Sequence, residues 1–95
     1  MRFIGFFEYE GGVQAKAVEK FRQMAAEREK TDRFGKIIFG PFNFSGQTKG
    51  FTVYEADDLD KLSNIAIFYM PEVKYKFIPI QESARAAELY VKMKK

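Results

Sequence analysis

The segment Lys49–Asp58, Lys-Gly-Phe-Thr-Val-Tyr-Glu-Ala-Asp-Asp, most constrains the fold of this chain. It reads as a strand running directly into a helix. Phe51, Val53 and Tyr54 favour a pleated backbone, and Gly50 sits at its start. Asp57 is placed to cap the helix, with Asp58 and Asp60 in a first turn where the helix dipole favours negative charge. Such a junction near the middle of 95 residues divides one domain, 1–95, into two similar halves.

The flanking segments complete those halves. Residues 2–9 are short, aromatic and strand-like, and Gly11-Gly12 ends them. Phe3, Phe7 and Tyr9 fall on one parity, Ile4 and Phe6 on the other, so this strand is covered on both sides and central. Residues 13–30 repeat Val13, Ala17, Phe21, Met24 and Ala25 at helical spacing, with charges around the rest of the surface. Residues 36–44 read as a second strand, placed at a sheet edge because Pro41 cannot donate to a ladder. Ser45-Gly46-Gln47 turns the chain into the third strand, 49–56.

A second helix follows from Asp57, with Leu59, Leu62, Ile65, Ala66 and Tyr69 as its stripe and Pro71 as its stop. Residues 73–80 alternate as a fourth strand. A last helix covers about 82–94, with Ser83 as N-cap and Ala86, Leu89, Tyr90 and Met93 as its apolar face. Lys92, Lys94 and Lys95 complement its C-terminus.

The order β-α-β-β-α-β, plus a terminal helix, is that of an α+β ferredoxin-like fold. Right-handed crossovers give the strand order 4-1-3-2, with the second and fourth strands at the edges.

Composition narrows the chemistry. The chain has no Cys and no His. Disulfides, thiolate metal sites, thiol nucleophiles, Ser–His catalysis and imidazole haem ligation are therefore excluded. The net charge of +3 comes from interspersed charges and implies a solvated surface. The run Phe3–Phe7 is too short for a signal-peptide core, and nothing approaches a membrane span, so the expected compartment is the cytoplasm. Asp57, Asp58 and Asp60 suggest a cation site but read better as a capped helix start, since no calcium-loop pattern follows. No phosphate-binding or dinucleotide fingerprint is present.

Eleven Phe and five Tyr need a well-filled core or a partner surface. Both helices of such a fold cover one sheet face and leave the other open. Placing Phe3, Phe7, Phe51, Val53, Tyr75 and Phe77 under the helices keeps Lys74 and Lys76 out of the core, where desolvation is costly. Ile4, Phe6, Tyr54, Ile78 and Ile80 then remain on the open face as an apolar patch that a second copy would cover, sheet against sheet.

The element order and the run Gly50–Asp58 resemble the dimeric α/β-barrel proteins. More closely, they resemble an uncharacterised family of short prokaryotic domains within that superfamily. The resemblance implies the fold and a homodimer, and carries no activity. Better-known members of the superfamily include haem-degrading and quinol-oxidising monooxygenases, with pockets between sheet and helices. The haem-handling ones rely on His, which this chain lacks.

The expected function is therefore binding or transformation of a small apolar or aromatic molecule, with no haem, metal or other cofactor. The candidate ligand-binding residues are Glu8, Thr52, Tyr54 and Lys76 on the open face and Asn43 on the edge strand. Glu8 beside Tyr54 would act as a base if burial raised its pKa. The plainer reading makes Tyr54 filler, Glu8 a solvated strand end and Lys76 an edge charge against aggregation.

Two alternatives stand beside this one. A purely structural or effector-sensing dimer has the same sequence signature. A single-stranded RNA-binding domain of the RNA-recognition type shares the element order, and Lys49-Gly50-Phe51 opens like its third-strand octamer. Val53 and Ala56 depart from that octamer's aromatics. RNA binding requires Phe51 on the open face; the dimer parity above puts it under the helices.

Overall fold

The computed structural model describes residues 1–94; Lys95, expected to complement the C-terminus of the last helix, lies outside the described residues. The chain runs β1 (Arg2–Glu8), a 3-10 turn (Gly11–Val13), α1 (Gln14–Lys30), β2 (Lys36–Asn43), β3 (Lys49–Glu55), α2 (Leu59–Tyr69), β4 (Lys74–Ile80) and α3 (Ser83–Lys94). The strands form one antiparallel sheet in the order β2-β3-β1-β4, the arrangement expected from right-handed crossovers. This is an open ferredoxin-like sheet. The edge strand β2 slips register between Ile37 and Phe39 and again between Phe39 and Phe42, around Gly40-Pro41. A proline without an amide hydrogen is accommodated at such an irregular edge.

α1 and α2 cover one sheet face. Ala17 and Met24 of α1 and Leu62, Ile65 and Tyr69 of α2 are buried against Phe3, Phe7, Tyr54 and Val73. The rings interlock: Phe7 meets Phe21 at 5.0 Å, Phe21 meets Tyr69 at 4.9 Å, and Tyr69 meets Tyr75 at 4.9 Å between centroids. Such pairs add about 1 kcal/mol each beyond area burial. Lys20 of α1 fastens the end of α2, donating to the carbonyls of Phe68 (2.9 Å) and Met70 (2.7 Å) and pairing with Glu72 at 3.2 Å.

The start of α2 lies one residue later than the sequence suggests. Asp58, not Asp57, is the N-cap; its carboxylate accepts from the Lys61 amide at 3.1 Å. Asp57 instead pairs with Lys61 Nζ at 2.9 Å. Leu59 consequently turns outward and is 67% exposed, off the stripe assigned to it. Ala25 of α1 is also exposed. α3 forms over the expected span, but Ser83 is its first helical residue and not its N-cap, and the helix buries none of its residues, so Leu89, Tyr90 and Met93 stand free of the core.

The parity of β3 is the main correction. β1 places Phe3, Gly5 and Phe7 under the helices, and β4 places Tyr75 and Phe77 there, as expected. In the antiparallel register Phe3 lies opposite Tyr54, Gly5 opposite Thr52 and Phe7 opposite Gly50. Directly opposed residues share a face, so Thr52 and Tyr54 go under the helices while Phe51 and Val53 go to the open face. The glycines mark the cause. A Cβ on Gly50 would fall 2.5 Å from Phe7 Cζ, and one on Gly5 would fall 2.9 Å from Tyr54 and Phe77 ring atoms. The helix-facing layer is filled by rings that lean over these two glycines.

Candidate functional site

Between α1 and the sheet lies a cavity of about 140 Å³. Its apolar wall includes Phe21 and Met24 of α1 and Ile37 of β2; its polar wall comprises Arg28, Thr52, Tyr54, Tyr69 and Tyr75. Ala25 and Pro41 are the exposed members of the lining and mark the side that meets solvent. The Thr52 Oγ1, the Tyr75 hydroxyl and Arg28 Nε are all buried, and none has a hydrogen-bond partner. Buried polar atoms are nearly always paired, since an unpaired one costs about 1–3 kcal/mol. Three such atoms line this one cavity.

Arg28 is held rigidly at this site. Its NH1 donates to the carbonyls of Phe34 (3.2 Å) and Gly35 (3.0 Å), and its guanidinium carbon stands 5.2 Å from the centre of the Tyr54 ring. No carboxylate among the described residues pairs with it. Burial pushes the Tyr69 phenol well above its ordinary value, with the neighbouring Tyr54 adding to the effect and the adjacent Tyr75 hydroxyl, then Arg28, opposing it. Burial pushes the Tyr75 phenol higher still, with Tyr54 and Tyr69 beside it. Both stay protonated at neutral pH and serve as donors. Among the described residues lining the cavity there is no carboxylate, imidazole or amine. The lining can donate hydrogen bonds and hold an anion, but it offers no general base.

The open face has a different character. Register aligns four rows across it: Lys74, Glu8, Lys49; Lys76, Phe6, Phe51, Phe42; Ile78, Ile4, Val53, Phe39; and Ile80, Arg2, Glu55, Lys36. The two middle rows form an apolar belt. Charges of both signs close it at each end, with Lys49–Glu8 at 3.9 Å and Arg2–Glu55 at 3.5 Å. At the β2 edge Phe39, Phe42, Phe44 and Phe51 pack together at centroid distances of 4.6–6.2 Å, yet Phe39 remains 53% exposed. An apolar centre with a charged rim has the anatomy of a protein interface.

The residues expected to form one site fall in three places. Thr52 and Tyr54 line the cavity beneath the helices, not the open face. Glu8 and Lys76 border an open hollow of about 320 Å³ at the end of the sheet where Glu8, Lys49 and Lys74 meet. Glu8 is exposed and separated from Tyr54 by the sheet itself, so the proposed pairing of base and phenol does not occur. Asn43 ties the β2–β3 loop, donating to Gln47 O at 3.3 Å and Tyr9 Oη at 3.4 Å. Arg28, Tyr69 and Tyr75 complete the cavity; none was among the candidate ligand-binding residues, Tyr69 and Tyr75 having been read as core. Arg28 left a trace there: it follows Phe21 and Met24 at helical spacing, a charge on the buried stripe.

No known family model and no curated protein matches this chain. Among the described residues no acidic cluster could hold a metal ion, and no helix is long and apolar enough to cross a membrane.

Proposed function

We propose that this protein is a homodimer, joined sheet face to sheet face, whose protomers each bind a small, partly aromatic molecule in the cavity beneath the helices without haem or metal. The observation that carries this reading is the set of unpartnered buried polar atoms around one ring-lined cavity: Arg28 Nε, Thr52 Oγ1 and the Tyr75 hydroxyl. Binding sites combine an apolar wall with a few placed polar groups in this way. Without a general base in the lining, the reading favours a binding or sensing role over proton-transfer chemistry. The dimer reading rests on the apolar belt of Ile4, Phe6, Phe51, Val53 and Ile78.

The test is ligand-observed NMR against a set of single-ring compounds, with wild type and an Ala25→Trp variant. Ala25 is exposed at the edge of the cavity, so an indole there blocks entry without disturbing the core. Compounds that bind wild type and not the variant support the site. A set in which nothing binds, or in which the variant binds equally, ends the small-molecule reading.

One observation favours the RNA alternative. Phe6 and Phe51 lie side by side on the open face, with Lys76 and Lys49 adjacent. Both rings are half-buried in the protomer, and rings flanked by lysines are what single strands stack on. Light scattering with and without a short single-stranded RNA separates the two. A dimer indifferent to RNA supports sheet-to-sheet pairing; a monomer that binds RNA, more weakly as salt rises, replaces it.

A further inference from the structure

Resting on the small-molecule reading, we infer that the cavity is a receptor for a small monocarboxylate. The carboxylate is held by Arg28 with the hydroxyls of Thr52 and Tyr75, and its apolar body lies against Phe21 and Met24. Each unpartnered group of the lining is a donor suited to a carboxylate: a guanidinium N–H, an aliphatic hydroxyl and a phenol that stays protonated. The charge balance points the same way. Arg28 lines the cavity without an acidic partner among the described residues, so an anion supplies the missing counter-charge.

The anion is single. Among the described residues only one cation lines the cavity, and a second negative charge there would be desolvated without compensation. It is also planar and shallow, because NH1 of Arg28 is already committed to Phe34 and Gly35. Nε and the remaining edge of the guanidinium are left to meet two oxygens. The volume limits the body. A cavity of about 140 Å³ is close to the ~150 Å³ apolar cavity that admits one benzene ring. The ligand is therefore a carboxylate carrying at most about one six-membered ring. Thr52 is 1% exposed, so its hydroxyl cannot turn to bulk water to satisfy itself.

Benzoate and the neutral, isosteric benzamide are the probes. Isothermal titration at fixed ionic strength compares them on wild type, Arg28→Lys, Thr52→Val and Tyr75→Phe, with circular dichroism reporting folding of each. Benzoate should bind at least about tenfold more tightly than benzamide. Arg28→Lys should weaken benzoate by about tenfold and benzamide by much less, since hydrogen bonds to charged groups are the stronger ones. Thr52→Val and Tyr75→Phe should each weaken benzoate by about three- to tenfold.

Benzamide binding as well as benzoate overturns the carboxylate inference and leaves the small-molecule reading standing. Binding of neither, with the cavity holding only water, overturns both. Benzoate binding that none of the substitutions alters places the ligand elsewhere and overturns the inference. If Arg28→Lys fails to fold, Thr52→Val and Tyr75→Phe decide.

Discussion

Gly50 lies directly opposite Phe7 in the β1–β3 ladder, and the Phe7 ring occupies the space a side chain on Gly50 would need. An added Cβ would stand 2.5 Å from Phe7 Cζ and would also press on the Phe42 carbonyl. Phe7 is 1% exposed and cannot swing aside. Gly50→Ala should therefore cost about 3 kcal/mol, the upper part of the usual overpacking range. Urea denaturation measures it. Gly12→Ala is the control, since nothing lies within 4 Å of a Cβ at Gly12. Equal midpoints for the two variants would mean that neither the Phe7 ring nor the Phe42 carbonyl crowds Gly50 as the register places them.

The open face leads to a second expectation. Ile78 sits in the apolar belt beside Ile4 and is 41% exposed in the protomer. Ile78→Lys should leave the protomer's own stability within about 0.5 kcal/mol, as surface substitutions do, and should split the homodimer. Light scattering at micromolar concentration should show the mass halved. A wild type already monomeric, or a variant still dimeric, rules out the sheet-to-sheet interface.

The elements of this fold were legible because each carries its own punctuation. Gly11-Gly12, Pro41, Ser45-Gly46-Gln47 and Pro71 bound the segments, and the helical stripes and strand alternation fill them. Strand order followed from handedness alone. The parity of β3 was not legible from hydrophobicity, because Phe51, Val53 and Tyr54 put large apolar groups on both faces. The ladder settles it by pairing Gly50 with Phe7 and Tyr54 with Phe3, which is information held in another strand. The cavity was half legible for the same reason. Thr52 and Tyr54 were singled out for the wrong face, and Arg28 looked like one more charge on a solvated helix. Its role depends on the 31–35 loop, whose carbonyls at Phe34 and Gly35 hold the guanidinium inward.

Glu72 should report on acid stability. Its own backbone amide and the Lys20 ammonium hold its carboxyl below the usual carboxylate range. A carboxylate with a depressed folded-state pKa contributes stability that is present above its unfolded value of 4.5 and lost as pH falls through the folded value. Below that the group is protonated in both states. Glu72→Gln should therefore lower the thermal midpoint at neutral pH, and the gap to wild type should close as the solution is acidified. The same substitution loosens the Lys20 anchor on Phe68 and Met70 carbonyls. A gap that persists unchanged in acid would show that packing, not charge, joins α1 to the end of α2.

The buried phenols set the opposite limit. Tyr69 and Tyr75 have folded-state values raised above the ordinary 10.0, burial being the larger cause in both. A raised folded value means that unfolding releases protons once the solution passes the unfolded value. Their contribution is then whole below about pH 10 and falls away as pH rises beyond it. Alkaline unfolding of wild type should coincide with a jump in phenolate absorbance from these two rings. Tyr75→Phe should move that unfolding to higher pH, because the ring that resists ionisation is no longer there to be ionised in the unfolded chain. Its cost at neutral pH should be small, since the Tyr75 hydroxyl has no hydrogen-bond partner within the protein. A marked neutral-pH loss would mean that the hydroxyl is already engaged there, by a bound molecule or an ordered water carried through purification. Exhaustive dialysis followed by the same measurement separates those two occupants, because only a dissociable ligand would leave.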